Sequence, residues 1–182
     1  FDAADPEEDR WLSRWADRAH LDTRTEVIRE VILFRPGEPV QVSALLESER
    51  ILRAKAYLYD ARVIPRRLCG DLIDVDVVVR EVWTLYPSLD FSRSGGDNAY
   101  EYGLIDTNLL GAGQTLSVFY QKDKDRDGTG VWYQNPNVAG SRIAFESLVE
   151  NNSDGSRYVV DVGQPFYGLD VRRALGLRVE DT

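Results

Sequence analysis

The sequence predicts an α+β unit ordered strand, helix, helix, strand, strand, followed by an antiparallel β-meander. Three observations carry this. Residues 41–56 repeat apolar side chains at three- and four-residue steps, whereas their flanks are β-branched or alternating. After Pro87 no helical period of useful length occurs. From there on, short strand-like runs are separated at regular intervals by Gly, Asn, Asp and Pro clusters, the pattern of a sandwich, a barrel or a meander.

The elements follow in order. Residues 1–23 are an acidic, polar lead segment; Trp11 and Trp15 are spaced to share one helical face. Residues 24–84 make the first domain. Thr25 to Phe34 is rich in Val and Ile and reads as a strand. Arg35-Pro36-Gly37-Glu38-Pro39 is a turn by composition. Val42, Leu45, Leu46, Leu52 and Ala56 then form the apolar stripe of an amphipathic helical stretch, one helix or two short ones. Residues 57–64 return to strand character, Pro65 is expected to end them, and Cys69-Gly70-Asp71 is a turn. Over 72–83, Ile73, Val75, Val77, Val79 and Glu81 alternate with Asp74, Asp76, Val78 and Arg80. Residues 85–182 hold strands at 88–94, 99–106, 114–122, 129–134, 141–150, 156–165 and 171–179.

Composition narrows the function. The chain has 182 residues, 43% hydrophobic and 29% charged, which is a foldable balance. A net charge of -9 argues against sequence-blind nucleic-acid binding. One Cys and one His exclude an intrachain disulfide framework and a Cys/His zinc site. Apolar runs are too short for a transmembrane helix, but a transmembrane barrel never shows such a run. With no Met, the chain reads as processed or cut.

The strand faces add a constraint. Leu116, Val118 and Tyr120 alternate with Thr115, Ser117, Phe119 and Gln121. Ile143, Phe145 and Val149, and likewise Tyr158, Val160 and Val162, alternate with largely polar neighbours. One apolar and one polar face fit a soluble sheet with a packed side or a membrane barrel that is apolar outward, and pattern alone leaves both open.

The first unit resembles a POTRA domain. The resemblance is carried by Phe34-Arg35-Pro36-Gly37-Glu38-Pro39, by Leu46 to Leu52 with Arg53, and by Tyr57-Leu58-Tyr59-Asp60-Ala61-Arg62-Val63. The second unit resembles the start of the barrel in the outer-membrane assembly and two-partner-secretion (bacterial surface antigen) superfamily. There the telling run is Tyr102 to Gln114, with Asn108-Leu109-Leu110-Gly111-Ala112-Gly113 at its heart; Gln134-Asn135-Pro136-Asn137 and Gln164-Pro165-Phe166-Tyr167 support it. The family's barrel has more strands than this chain, so 85–182 reads as the first strands of a larger barrel.

The resemblance implies a bacterial outer-membrane location, with the POTRA-like part in the periplasm, and a role in assembling, inserting or exporting β-rich client chains. Partners would be extended client polypeptides and outer-membrane lipid. Clients would add as a strand to a sheet edge, here expected at Tyr57, Leu58, Tyr59, Asp60, Ala61, Arg62, Val63 and Ile64, with Tyr57, Tyr59, Ala61 and Val63 on one face. Lipid-facing candidates are Leu116, Val118, Tyr120, Ile143, Phe145, Tyr158, Val160 and Val162. Two other readings stand beside this one: a soluble periplasmic interaction module with its own closed β-domain, and the tail of a patatin-like lipid hydrolase whose catalytic domain lies upstream.

No catalytic set and no cofactor motif emerges. Gly-x-Ser-x-Gly, the phosphate loop and Gly-x-Gly-x-x-Gly are all missing. His20 reads as solvent-exposed, Cys69 as a turn residue, and Asp74 with Asp76 as a solvated strand face. Asp123, Asp125 and Asp127 followed by Gly128 match the first half of a calcium loop, but the twelfth position falls on Gln134 and Trp132-Tyr133 reads as strand, so a charged hairpin explains the run equally well.

Overall fold

The computed structural model describes residues 22–69 and 72–182. His20, Trp11, Trp15 and the Gly70-Asp71 turn lie outside the described residues.

Among the described residues two helices come first, α1 (Thr25–Val31) and α2 (Val42–Arg53), followed by a hairpin of β1 (Leu58–Cys69) and β2 (Leu72–Glu81). The segment expected as the first strand is therefore a helix. Val27, Ile28 and Val31 occupy one helical face, and packing that face against the core outweighs the β preference of Val and Ile. The core gathers Ile28 from α1, Leu45 and Leu52 from α2, and Tyr57, Leu58, Ala61 and Val63 from the hairpin, with Val75, Val77 and Val79 of β2 against it. Buried Ser48 ties the connection down: its hydroxyl donates to the Ala44 carbonyl and accepts from the Leu33 N–H.

β1 runs through Pro65 instead of ending there, with a register shift between Pro65 and Leu68. A second shift between Leu58 and Asp60 changes the faces: Leu58 is buried while Tyr59 is 71% exposed, under the Arg80 guanidinium. Tyr59 thus does not share a face with Tyr57, Ala61 and Val63.

The rest of the chain is one seven-stranded antiparallel meander in sequence order: β3 (Leu85–Ser94), β4 (Asp97–Asp106), β5 (Thr115–Lys122), β6 (Asp127–Asn135), β7 (Ala144–Asn152), β8 (Gly155–Gln164) and β9 (Leu175–Asp181). All seven expected strands are present. At one end, short hairpins join β3 to β4, β5 to β6 and β7 to β8. Gly95 and Gly96 make the first of these with positive φ at both positions, as a two-residue hairpin requires. At the other end, longer loops at 107–114, 136–143 and 165–174 meet the helical unit.

The meander has almost no core of its own. Among the described residues, Val159 is the only apolar side chain of β3–β9 that is buried, apart from glycines. Glycine marks the close approaches within the sheet. The mid-strand glycines Gly103, Gly128, Gly130, Gly163 and Gly176 all fall on the same face by register. A Cβ on Gly103 would sit 2.4 Å from the Val118 carbonyl oxygen, and one on Gly130 would enter the Phe119 ring. The missing side chains let neighbouring backbone and the Phe119 ring approach closely on this face.

These glycines are not equivalent. Gly103→Ala should cost about 2 kcal/mol in chemical denaturation, as overpacking against backbone does. At Gly176 the nearest atom to an added Cβ is 3.6 Å away, so Gly176→Ala should stay near wild type. Equal midpoints for the two variants would refute the argument.

Candidate functional site

The candidate site is the meander itself, with its two faces and its edges. Antiparallel pairing fixes which side chains stand together. Along one row Leu89, Tyr102 and Tyr120 are neighbours; along the next Pro87, Leu104, Val118, Val131, Val149 and Tyr158. Seven of the eight residues singled out in the sequence as apolar-facing, namely Leu116, Val118, Tyr120, Phe145, Tyr158, Val160 and Val162, share this face. Ile143 lies in the loop before β7. The sequence reading leaves four strands unassigned that belong to the face: β3 with Leu85, Leu89 and Phe91, β4 with Tyr100, Tyr102 and Leu104, β6 with Val131 and Tyr133, and β9 with Leu175, Leu177 and Val179. Their period-two alternation was the available signal. The face is open to its surroundings from end to end, with Leu89 82%, Val131 43% and Leu175 83% exposed. Tyr100, Tyr102 and Tyr120 cluster toward the hairpin end, with centroids 5.2–6.4 Å apart, and Tyr133 meets Phe145 toward the loop end.

The apolar window does not follow the hydrogen-bonded rows. It spans Tyr100 to Leu104 on β4 and Leu175 to Val179 on β9. The row that begins with Leu89, Tyr102 and Tyr120 turns polar at Thr129, Asn151 and Ser156. The window slides by roughly one residue per strand, about 3.4 Å for each strand spacing of about 4.8 Å. Strands crossing a level apolar band in this way are inclined by roughly 35°.

The opposite face is polar and inward. Glu150, 6% exposed, accepts from Gln121 Nε2 at 3.0 Å and from Arg157 Nη1 at 3.3 Å. Arg157 also donates to Glu180 at 2.9 Å, and the Trp132 indole N–H to Glu146 at 2.9 Å. A cleft of about 380 Å³ opens on this side, lined by Asp90, Ser92, Glu101, Gln121, Glu150 and Arg157 among others.

The edge expected to receive clients is partly occupied. The Val63 N–H donates to Glu49 Oε2 at 2.9 Å, and Arg53 Nε donates to the Ala61 carbonyl at 2.9 Å. Both groups point away from β2, so α2 covers the outer side of β1 there. Pro65, two residues on, has its missing N–H on the same outer side and costs no ladder bond. In the meander, β3 and β9 each pair on one side only.

The acidic run is a hairpin turn. Asp123 Oδ1 accepts from the N–H groups of Asp125 and Arg126, which hold its carboxyl below the usual range. Asp127 meets the Tyr120 hydroxyl, and Arg126 bonds Asp154 of the next hairpin. No group of three ligating side chains converges among the described residues. Asp74 and Asp76 are exposed, and Asp76 pairs with Arg66 at 2.7 Å.

The fold is that of part of BamA. The structure of BamA from Haemophilus ducreyi lacking POTRA domains 1–3 aligns with a TM-score of 0.61 over 87% of this chain, at 16% identity. This chain covers 32% of that one. No family model and no curated protein matches. No helix among the described residues is long and apolar enough to cross a membrane, which says nothing about crossing by strands.

Tyr57 links the small core to the loop end of the meander. It is 4% exposed, and its hydroxyl faces Gly113. Burial, then the charge of Glu81, pushes its phenol up to about 12. The folded state therefore holds this proton more tightly than the unfolded chain does. The associated stability is complete below pH 10 and is lost as pH rises through about 12, on the order of 2–3 kcal/mol. Denaturation at pH 9 and pH 12 should show Tyr57→Phe losing less stability than wild type across that interval; equal losses would refute the assignment.

Proposed function

We propose that this chain is the membrane-entry part of an outer-membrane protein of the assembly type. In this reading β3–β9 are membrane strands, the apolar face meets lipid, the polar face lines a wet interior, and the helical unit with the β1–β2 hairpin lies in the periplasm as a POTRA-like domain. The observation that carries the reading is the open apolar face. A soluble monomer rarely exposes a contiguous patch of this kind, because covering it would be favourable. Lipid covers it without a partner protein. Three further features support the reading. The strands are 7–10 residues long, close to the roughly 9–11 of tilted membrane strands. The inclination of roughly 35° matches that of membrane barrels. Aromatic side chains flank the apolar window at both ends, as interfacial girdles do.

The proposed clients are β-rich chains that pair with an unpaired edge. On the β1 edge a client would have to displace Glu49 and Arg53. The outer edge of β3, from Leu85 to Ser94, needs no such displacement along most of its length, though the Trp83 indole meets the Leu85 carbonyl at its start.

The test compares two residues of β6 on opposite faces. Val131→Arg should weaken folding into phosphatidylcholine vesicles by about 2–4 kcal/mol, the cost of a cation in the middle of a bilayer. Gln134→Arg, on the polar face, should fold nearly as wild type. Detergent-free, monodisperse protein in which Val131→Arg is harmless would overturn the lipid-facing reading.

A further inference from the structure

Two of the three loops that meet the helical unit are residue-for-residue copies of one turn. In the first, the Asn108 N–H donates to Asp106 Oδ1 at 3.0 Å and the Gly113 N–H donates to Asn108 Oδ1 at 2.7 Å. In the second, the Asn137 N–H donates to Asn135 Oδ1 at 3.0 Å and the Arg142 N–H donates to Asn137 Oδ1 at 2.7 Å. The backbone repeats as well. Leu109 N–H to Gln114 and Val138 N–H to Ile143 both close at 2.8 Å. Left-handed φ recurs at Leu110 and Ala139 (53° and 50°), at Gly111 and Gly140 (70° and 71°), and at Gly113 and Arg142 (66° and 63°). Non-glycine residues enter this region reluctantly. Building the same strained turn twice therefore needs a common reason.

The reason lies in what the turns leave free. Each asparagine spends its oxygen within its own turn, so its amide N–H points outward. Asn108 Nδ2 donates to Thr23 Oγ1 at 2.8 Å, and the Arg24 N–H donates to the Gly111 carbonyl at 2.9 Å. Asn137 Nδ2 donates to Glu30 Oε2 at 3.0 Å, and Arg142 Nη2 reaches the Ile32 carbonyl at 3.5 Å. The first turn grips the residues just before α1, and the second grips its last turn. The loops are two strand spacings apart, about 10 Å. A seven-residue helix is about 10.5 Å long. Helix and gap match.

We infer that α1 is a crossbar, held at its two ends by duplicate asparagine turns, that sets the spacing of β4–β5 from β6–β7 at the loop end of the sheet. The helical unit thereby becomes one body with the rim of the meander instead of hanging from a linker at residues 82–84. The crossbar is independent of what the apolar face meets, so it stands or falls apart from the membrane reading.

The test is hydrogen exchange by mass spectrometry on the full chain in dodecyl maltoside micelles. Asn137→Asp keeps the turn's acceptor but sets a carboxylate against Glu30. Glu30→Ala deletes only the partner on α1. Each should speed amide exchange of 25–31 at least fivefold, with β1–β2 protection unchanged. Combining Asn137→Asp with Glu30→Lys should return exchange to within twofold of wild type. If α1 exchanges at the wild-type rate in either folded variant, or if only the turn's own amides accelerate, the crossbar is refuted. Should Asn137→Asp fail to fold by circular dichroism, Glu30→Ala, which leaves every bond inside the turn intact, decides the matter alone by the same criterion.

Discussion

Everything in the larger half of this chain depends on a sheet that satisfies its backbone without building a core. Consecutive strands pair over nearly their whole lengths, so backbone polar groups are met by neighbours. Side-chain burial does not follow. Among the described residues the apolar side chains stand on one face, and many of them are exposed. In a soluble sandwich, that face would find a second sheet or a helix. Here α1 and α2 pack on the β1–β2 hairpin, where Ile28, Leu45 and Leu52 are buried, while Val42 and Leu46 on α2 stay exposed. Between its two edge strands the sheet is thus satisfied in hydrogen bonding while its apolar face stays exposed, and under the proposed function lipid covers that face.

Curvature follows from the same alternation. Placing five mid-strand glycines on the polar side removes side chains where the sheet is tightest, and Phe119 lies across Gly130 in the space left free. Polar groups crowded onto that side then meet one another. Glu150 is buried, yet Gln121 and Arg157 reach it, and Arg157 reaches Glu180 in turn. A buried carboxylate is costly without such partners. Glycine and the ion-pair network on one face and the aromatic side chains on the other follow from one register.

Much of this was legible in the sequence. The seven strands could be read because alternation and turn clusters are local signals, and the apolar faces of β5, β7 and β8 could be read from residue parity. Other features were hidden because they arise between elements. The slant of the apolar window needs the register of every strand pair, which no single strand encodes. The helix at Thr25–Val31 was misread because Val and Ile serve both states; Val27, Ile28 and Val31 do mark a helical face, but only the core against which they pack decides between them. Pro65 failed to stop β1 because its missing donor falls on the unpaired side. The cover on β1 was unreadable because Glu49 and Arg53 look like ordinary solvated helix residues until the fold sets them beside Ala61 and Val63.

That cover bears on how the two units divide their work. The small unit uses its polar helix residues to satisfy backbone that would otherwise template another strand, a common defence of exposed edges. The meander leaves β3 and β9 paired on one side only, with long apolar side chains beside them. An edge closed by charged side chains resists addition; the β3 edge, flanked by Leu89 and Phe91, is not closed in that way. Under the proposed function, strand capture therefore fits the β3 edge better than the hairpin. In that reading the helical unit, as the crossbar proposed above, holds the loop end of the sheet in register against splaying of the rim.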